Sequence, residues 1–321
     1  MTGSEQLFAV IPPELAGRRL DQALATLFKG HSRTRLQRWI RNGQVRVDAT
    51  EARPRDRVRG GERVEISAHY DAHDDWTAQD LPLEVCHVDD ALLIINKPPG
   101  MVVHPGAGNR DGTLLNALLH YDSALAKVPR AGIVHRLDKG TSGLMVVART
   151  AAAHTNLVAQ LKSRTVQREY QAIVTGVMTA GRRVEAPIGR HPSRRTQMAV
   201  VRRGRSAVTH CRVIRRFRAH THIKLNLETG RTHQIRVHMA HLGYPIVSDP
   251  VYGGRAPIPK HAGEGVIRAI KGLGRQALHA SGLGVAHPIS GEPMRFEVAL
   301  PSDILSLIGE LSNDAAEPRS R

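Results

Sequence analysis

From Leu81 onward the chain breaks into short apolar runs that are too brief for helices and too closely spaced for repeated strand–helix–strand units. Runs at Leu92–Asn96, Ile133–His135, Leu144–Ala148, Tyr170–Thr175, Val208–Ile214 and Ile223–Leu227 have strand length and strand composition. Segments of helical length are fewer. Thr113–Tyr121, Thr150–Ser163 and Thr232–Leu242 each open on a threonine able to cap a helix, and the last is followed by Gly243 and Pro245. Many strands with few intervening helices predict an α+β domain, a mixed and largely antiparallel sheet flanked by helices, in preference to a doubly wound parallel one.

Ahead of this region lies a small basic module, residues 17–67, with thirteen Lys or Arg against six Asp or Glu. Leu20, Ala23, Leu24, Leu27 and Phe28 follow the spacing of one helix face. A second helix is expected between Ser32 as N-cap and Asn42-Gly43 as stop. It puts Leu36, Trp39 and Ile40 on one side and Arg35, Arg38 and Arg41 on the other, free for phosphates. Val45 and Val47, then Val64 and Ile66 after the Gly60-Gly61 turn, alternate as strands do. Residues 68–80 reverse the charge, with four Asp and no Lys or Arg, and read as a solvated linker. The expected division is an N-terminal segment 1–16, the basic module 17–67, the linker 68–80, the larger domain 81–311 and a fraying polar tail 312–321.

Charge and composition narrow the partners. A formal charge of +17 over 321 residues points to a polyanion, above all nucleic acid. Apolar runs such as Ala91–Ile95 are far too short to span a bilayer, and no basic leader precedes an apolar stretch, so a cytoplasmic location without membrane attachment is expected. Cys86 and Cys211 stand alone, which supports neither a disulfide framework nor a cysteine zinc site. His233, His238 and His241 lack metalloprotease spacing, so no metal is expected. Gly106-Ala107-Gly108 with Gly112 misses the dinucleotide fingerprint, and no phosphate-binding GxxxxGK[ST] occurs, so no nucleotide cofactor is expected. The span 190–218 holds ten arginines and no acidic residue, a candidate RNA-backbone track that includes Arg194 and Arg195. With aromatics at 3%, it is no stacking platform for single strands.

Asp138 is the sole acidic residue between Asp122 and Glu169, while Lys127, Arg130, Arg136, Lys139 and Arg149 share that stretch. A lone carboxylate among cations stays ionised, which suits a nucleophile better than a proton donor. A loop Asp beside Thr and Ser also suits a turn cap, and residue pattern alone leaves both readings open.

Neighbouring motifs add a resemblance. His135-Arg136-Leu137-Asp138 followed by Thr141-Ser142-Gly143-Leu144 resembles the catalytic motif of the RluA-type pseudouridine synthases. Asn96-Lys97-Pro98-Pro99-Gly100 with Val103-His104-Pro105 is similar to the family's first motif, and Arg168-Glu169-Tyr170-Gln171-Ala172 to the segment carrying an active-site tyrosine. Glu228-Thr229-Gly230-Arg231-Thr232-His233-Gln234-Ile235-Arg236 resembles its third motif, and Arg275-Gln276-Ala277-Leu278-His279-Ala280 its C-terminal signature. Residues 17–67 resemble the S4 RNA-binding domain, except that Asp48-Ala49 replaces the usual Asn-Gly turn. The resemblance spans about Leu15 to Leu307. Asp249-Pro250-Val251-Tyr252-Gly253-Gly254 and the S4-like module are most similar to the branch acting on large-subunit ribosomal RNA.

The resemblance implies a cofactor-independent isomerase converting uridine to pseudouridine. Asp138 is then the nucleophile, Arg236 its ion-pair partner, Tyr170 the base-contacting residue and Arg136 the wedge that fills the stack vacated by a flipped base. Arg35, Arg38, Arg41, Arg194, Arg195 and Arg231 are the candidate RNA contacts. The implied partner is large-subunit (23S) ribosomal RNA or a pre-50S particle, modified in the loop of helix 69 by a monomer. Rival readings are another rRNA or a tRNA as substrate, a noncatalytic assembly factor, and a metal-dependent hydrolase using the histidine cluster.

Overall fold

A computed structural model describes residues 4–28, 31, 33–69, 76–106, 108–254, 258–259 and 262–316. The chain divides into two compact units, Met1–Trp76 and Thr77–Arg321. Among the described residues no helix is long and apolar enough to cross a membrane.

The first unit contains strand β1 (Ser4–Val10), helices α1 (Leu20–Leu27) and α2 (Arg33–Arg41), and strands β2 (Val45–Val47), β3 (Thr50–Glu51) and β4 (Arg63–His69). They form an antiparallel sheet in the order β1-β4-β2-β3. Leu20, Ala23 and Leu24 from α1 and Leu36, Trp39 and Ile40 from α2 are buried together against Val45, Val64 and Ile66. Ser32, the expected cap of α2, lies outside the described residues, as does the side chain of Arg35. The β2–β3 hairpin closes on Asp48 and Ala49, both at positive φ (47° and 62°), as a type I′ turn requires, so the departure from Asn-Gly keeps the turn geometry.

The N-terminal segment requires a correction. Residues 4–10, expected outside the basic module, form its edge strand, paired with β4 from Ser4↔His69 to Val10↔Arg63. The pairing occupies hydrogen-bonding groups that β4 would otherwise leave open, and Leu7 packs on the core below.

The two helices are joined by a buried carboxylate. Asp21 on α1 accepts from Arg19 Nη2 at 3.0 Å, from Arg33 Nη2 on α2 at 2.7 Å, and from Gln37 Nε2. Its side chain is fully buried. Burial alone would raise its pKa, but hydrogen bonds from Gln37, Arg33 and Arg19 outweigh it and hold the group below the usual aspartate value.

The second unit contains β5 (Glu84–Val88), β6 (Leu92–Lys97), α3 (Leu114–Tyr121), β7 (Ser142–Ala148), α4 (Ala151–Ser163), β8 (Gln167–Thr175), β9 (Arg182–Glu185), β10 (Ile188–Arg190), β11 (Met198–Val200), β12 (Val208–Arg216) and β13 (His220–Leu227). α5 (Gln234–His241), α6 (Glu264–Gly272), β14 (Leu278–Ala286), β15 (Pro293–Glu297) and α7 (Ser302–Ala316) complete it. A nine-stranded sheet runs β5-β6-β7-β14-β8-β13-β12-β9, with β15 added to β14, while β10 and β11 form a separate ribbon. The β7–β14 pairing is parallel and its neighbours are antiparallel, which makes the sheet mixed. Their close approach depends on Gly143, at φ 117°, where a Cβ would lie 2.2 Å from the Ala280 carbonyl oxygen. Sheet and helices enclose the main core, with Ile95, Met145, Ala172, Ile223 and Leu118 at 0% exposure.

Three expectations are revised here. Ile133–His135 is no strand, since only Ile133 bridges to Val147 and the Val146 N–H donates instead to His135 Nε2 at 3.0 Å. The residue capping α5 is His233, at φ 57°, and not Thr232. Gln234 turns back to accept from the Arg231 N–H at 2.9 Å and from Thr229 Oγ1 at 2.8 Å, so its side chain holds the helix entry. The polar tail is helical through Ala316, because Leu311 packs into the core and Asp314 binds Arg218 Nε at 2.8 Å.

Because Asp21 is held below its unfolded-chain value, its stabilisation is complete above that value, about pH 3.9, and is lost as pH falls through its folded value. Urea melts of the full chain read at Trp39 are expected to show Asp21→Asn costing about 2 kcal/mol at pH 7. The difference from wild type should shrink as pH drops below 4.

Candidate active site

The loop between Ile133 and Thr141 enters β7 and carries the expected nucleophile. Its two ends are fixed from below. His135 is neutral, pushed down to about 3 by burial and then by Arg168, and so can accept the Val146 N–H. Leu137 is 5% exposed and anchors the loop in the core. The Asp138 carbonyl accepts the Thr141 N–H at 3.0 Å, and the Thr141 hydroxyl accepts from Gln276 Nε2 at 3.0 Å. Arg275, paired in a fork to Asp303 at 2.7 and 2.8 Å, reaches the Gly140 carbonyl at 3.1 Å. Lys97 is completely buried and donates to the carbonyls of Pro98 and Met101, with that of Lys139 at 3.4 Å. Burial, then the Arg275 charge, brings its pKa down to about 7, against an opposing pull from Asp138.

Helix α5 supplies the partner. Arg236, 5% exposed, donates from Nη1 to Asp138 Oδ2 at 2.9 Å. Its other edge is held by Asp249, with Nε to Oδ2 at 2.7 Å and Nη2 to Oδ1 at 2.8 Å. Asp249 also accepts the N–H groups of Val251 and Tyr252. Burial opposes its ionisation, but Arg236 and these backbone donors overcome that and hold its pKa low. The Tyr252 ring lies 5.0 Å from the Arg236 guanidinium carbon, and its hydroxyl meets His233 Nδ1 at 2.7 Å. His233 Nε2 is 3.8 Å from Asp138 Oδ1. Burial keeps His233 below its ordinary pKa despite Asp138, with Arg236 and Arg136 adding to the lowering.

Asp138 and His233 line one cleft of about 460 Å³. Tyr170, 6% exposed on β8, forms part of its wall, and burial raises the phenol pKa so that it stays protonated. Arg136 is exposed at the same cleft. Asp138, Arg136 and Tyr170 thus share the cleft, with Arg236 held directly behind Asp138. Arg231 also lines it, with Nε donating to the Ser206 carbonyl at 3.0 Å. Arg194 and Arg195 are exposed between β10 and β11, outside the cleft lining. Arg38 and Arg41 lie on α2 in the first unit. His238 is buried between Thr209 Oγ1 and the Ala186 carbonyl, at 2.9 and 3.0 Å.

Sequence reasoning missed Asp249, Tyr252, His233 and Arg168 as parts of this site. Asp249 and Tyr252 stood in a segment noted only as a branch signature, and His233 in a cluster weighed as metal ligands. Arg168 was quoted only as a neighbour of Tyr170, although its i, i+2 spacing on a strand places both on one face.

The chemical capacity follows from the pairing. A carboxylate held by one hydrogen bond from a buried guanidinium, in a cleft with a protonated phenol, suits nucleophilic attack on a bound electrophile.

Comparison with known proteins gives two families. One described as RNA pseudouridylate synthase matches residues 91–241, and the S4 domain matches residues 18–64. The chain is 54% identical over 314 residues to the ribosomal large subunit pseudouridine synthase D of Pseudomonas aeruginosa, covering 98% of each chain. It is 51% identical over 313 residues to the protein of the same name from Escherichia coli (strain K12), covering 97% of this chain and 96% of the other. Among solved structures, human RNA pseudouridylate synthase domain containing 4 aligns with a TM-score of 0.56 at 26% identity, over 71% of this chain and 93% of that one.

The buried ion pair carries its own expectation. Asp249→Asn leaves Arg236 half-compensated inside the protein, and breaking such a pair costs about 3 kcal/mol. Guanidinium denaturation of the variant should show a loss of that size, and a change below 1 kcal/mol would contradict the pairing described here.

Proposed function

Because the chain belongs to the RNA pseudouridine synthase family and is an RNA-modifying isomerase bearing an S4 domain, we propose that it modifies uridines of large-subunit ribosomal RNA, in the loop of helix 69, with Asp138 as nucleophile. The observation that carries the mechanism is the 2.9 Å contact of Arg236 with Asp138 beside Tyr170 in one cleft. The substrate rests on the names of relatives that align end to end with this chain.

In this reading a uridine leaves its stack, at a cost of about a few kcal/mol, and Arg136 fills the gap with its planar guanidinium. An Asp138 carboxylate oxygen bonds to the ribose C1′, and the C1′–N1 bond breaks with its electron pair passing to the uracil. The detached ring turns, its C5 bonds to C1′, and Asp138 is released. C5 then loses its proton while a ring nitrogen regains one. No redox change and no outside group enters. Arg236 aims Asp138 for the attack and receives it again when C5 displaces it, which is an orientation effect as much as an electrostatic one. Tyr170 packs on the base, and its protonated hydroxyl relays the proton leaving C5. The S4 domain, with Arg38 and Arg41 on α2, and the exposed arginines near β10 and β11 supply backbone affinity.

Purified protein incubated with large-subunit rRNA is expected to form pseudouridine, and Asp138→Ala to form none while retaining RNA affinity within about threefold. Equal product from Asp138→Ala would overturn the mechanism. A nucleotide-resolution pseudouridine map from cells lacking the gene should lose sites in the helix 69 loop. Unchanged rRNA with a lost tRNA site would overturn the substrate assignment.

A further inference from the structure

The cleft wall holds a buried cation that the scheme above does not use. Arg168 sits on β8 two residues before Tyr170, is 8% exposed, and lines the same cleft. Its Nη2 makes two long contacts, 3.5 Å to the Leu227 carbonyl and 3.4 Å to that of Glu228. Its Nε is shielded from solvent and has no hydrogen-bond partner among the described residues. Burial pulls its pKa below the ordinary arginine value, and the group acting against that is Tyr170 and no carboxylate. A guanidinium left in this state is costly unless something completes it.

The other cations in and behind the cleft are differently placed. Arg236, which stands behind Asp138 and outside the cleft lining, is already shared between two carboxylates. Arg130, Arg136 and Lys162 are exposed, and Arg231 donates to the Ser206 carbonyl. Gly230 also fits a special role for Arg168, since a Cβ there would stand 2.6 Å from Arg168 Nη1. The fold therefore leaves room for this guanidinium at the wall of the cleft, and among the described residues it is given no anion of its own.

We propose that Arg168 is a catalytic residue that binds the uracil ring and carries the negative charge it acquires when the C1′–N1 bond breaks. The inference rests on the nucleophilic reading of Asp138. When Asp138 bonds to C1′, the electron pair of the broken bond is delocalised from N1 onto the O2 and O4 carbonyls. Arg168 presents N–H donors with fixed geometry in a setting largely closed to water, where a charge appearing only after bond breaking is stabilised most. The same charge then returns to carbon as C5 attacks C1′, so the guanidinium neither gains nor loses a proton. Tyr170, on the same face of β8, supports the ring beside it.

Single-turnover kinetics on a large-subunit rRNA fragment test this with Arg168→Met and Arg168→Lys, alongside Asp138→Ala and thermal melts of each. The expected result for Arg168→Met is a rate about 100-fold lower, with RNA affinity changed less than threefold, the size seen on removing one donor to a developing anion. Arg168→Lys should recover part of that loss. Replacing the target uridine with 5-fluorouridine, whose fluorine stabilises negative charge in the ring, should shrink the Arg168→Met deficit in glycosidic bond cleavage to less than 10-fold. A full rate in Arg168→Met overturns the proposal. So does a loss confined to RNA affinity, as for a phosphate contact, or a rate loss that 5-fluorouridine leaves unaltered, as for a merely structural residue. If Asp138→Ala is inactive while Arg168→Met is fully active, the nucleophilic reading survives and this inference alone fails.

Discussion

One guanidinium held between two carboxylates organises the catalytic unit. Asp138 precedes β7, Arg236 lies on α5 and Asp249 follows it, so the contact draws together segments 98 positions apart in sequence. A buried arginine is costly unless its charge and donors are matched, and for Arg236 both edges of the fork are engaged. The loop bearing Asp138 must therefore arrive at one height and angle. Leu137, His135, Thr141 and the carbonyls bound by Lys97 and Arg275 set that arrival from the core side. The strands position the helix and loop, and the ion pair requires that they do so closely.

Much of this was legible in the chain, for identifiable reasons. Strands such as β6 and β7 show as apolar runs because both faces are buried, and α3 and α4 show as helices because Thr113 and Thr150 stand where their caps do. The Asp138–Arg236–Tyr170 set was legible through motif resemblance, not through spacing. Elements that escaped notice lack a local signature. The edge strand at Ser4–Val10 carries Phe8 and Val10 outward, at 67% and 58% exposure, so its face is defined by its partner more than by alternation. β14 escaped because Ser281, Gly282 and Gly284 interrupt its apolar pattern where it changes neighbours from β7 to β15. The start of α5 was misplaced because a side chain, Gln234, performs the capping from inside the helix.

Arginine shows most clearly what residue type leaves open. The span 190–218 read as an RNA track, yet several of its members have structural work. Arg216 donates to the carbonyls of Met178 and Thr179 at 2.7 and 2.5 Å, Arg218 pairs with Asp314, and Arg215 lies over the Phe217 ring at 5.2 Å. Arg194, Arg195, Arg202, Arg203, Arg205 and Arg212 are exposed and remain available to a phosphate backbone. Sequence separates these groups poorly, because a planar five-donor cation serves a carbonyl, a carboxylate, a ring face or a phosphate equally well. Position in the sheet decides which.

The same distinction explains why Asp249 matters to a carboxylate it does not touch. If Arg236 paired with Asp138 alone, the whole cationic charge would face that one carboxylate. Asp249 takes two of the three contacts and so shares that charge. What reaches Asp138 is one directed N–H, which orients its oxygen. The Tyr252 ring and hydroxyl close the remaining side, and His233 at 3.8 Å stays neutral because burial opposes a further positive charge there. Three groups that the motif pattern passed over thus surround the contact that positions the one it singled out.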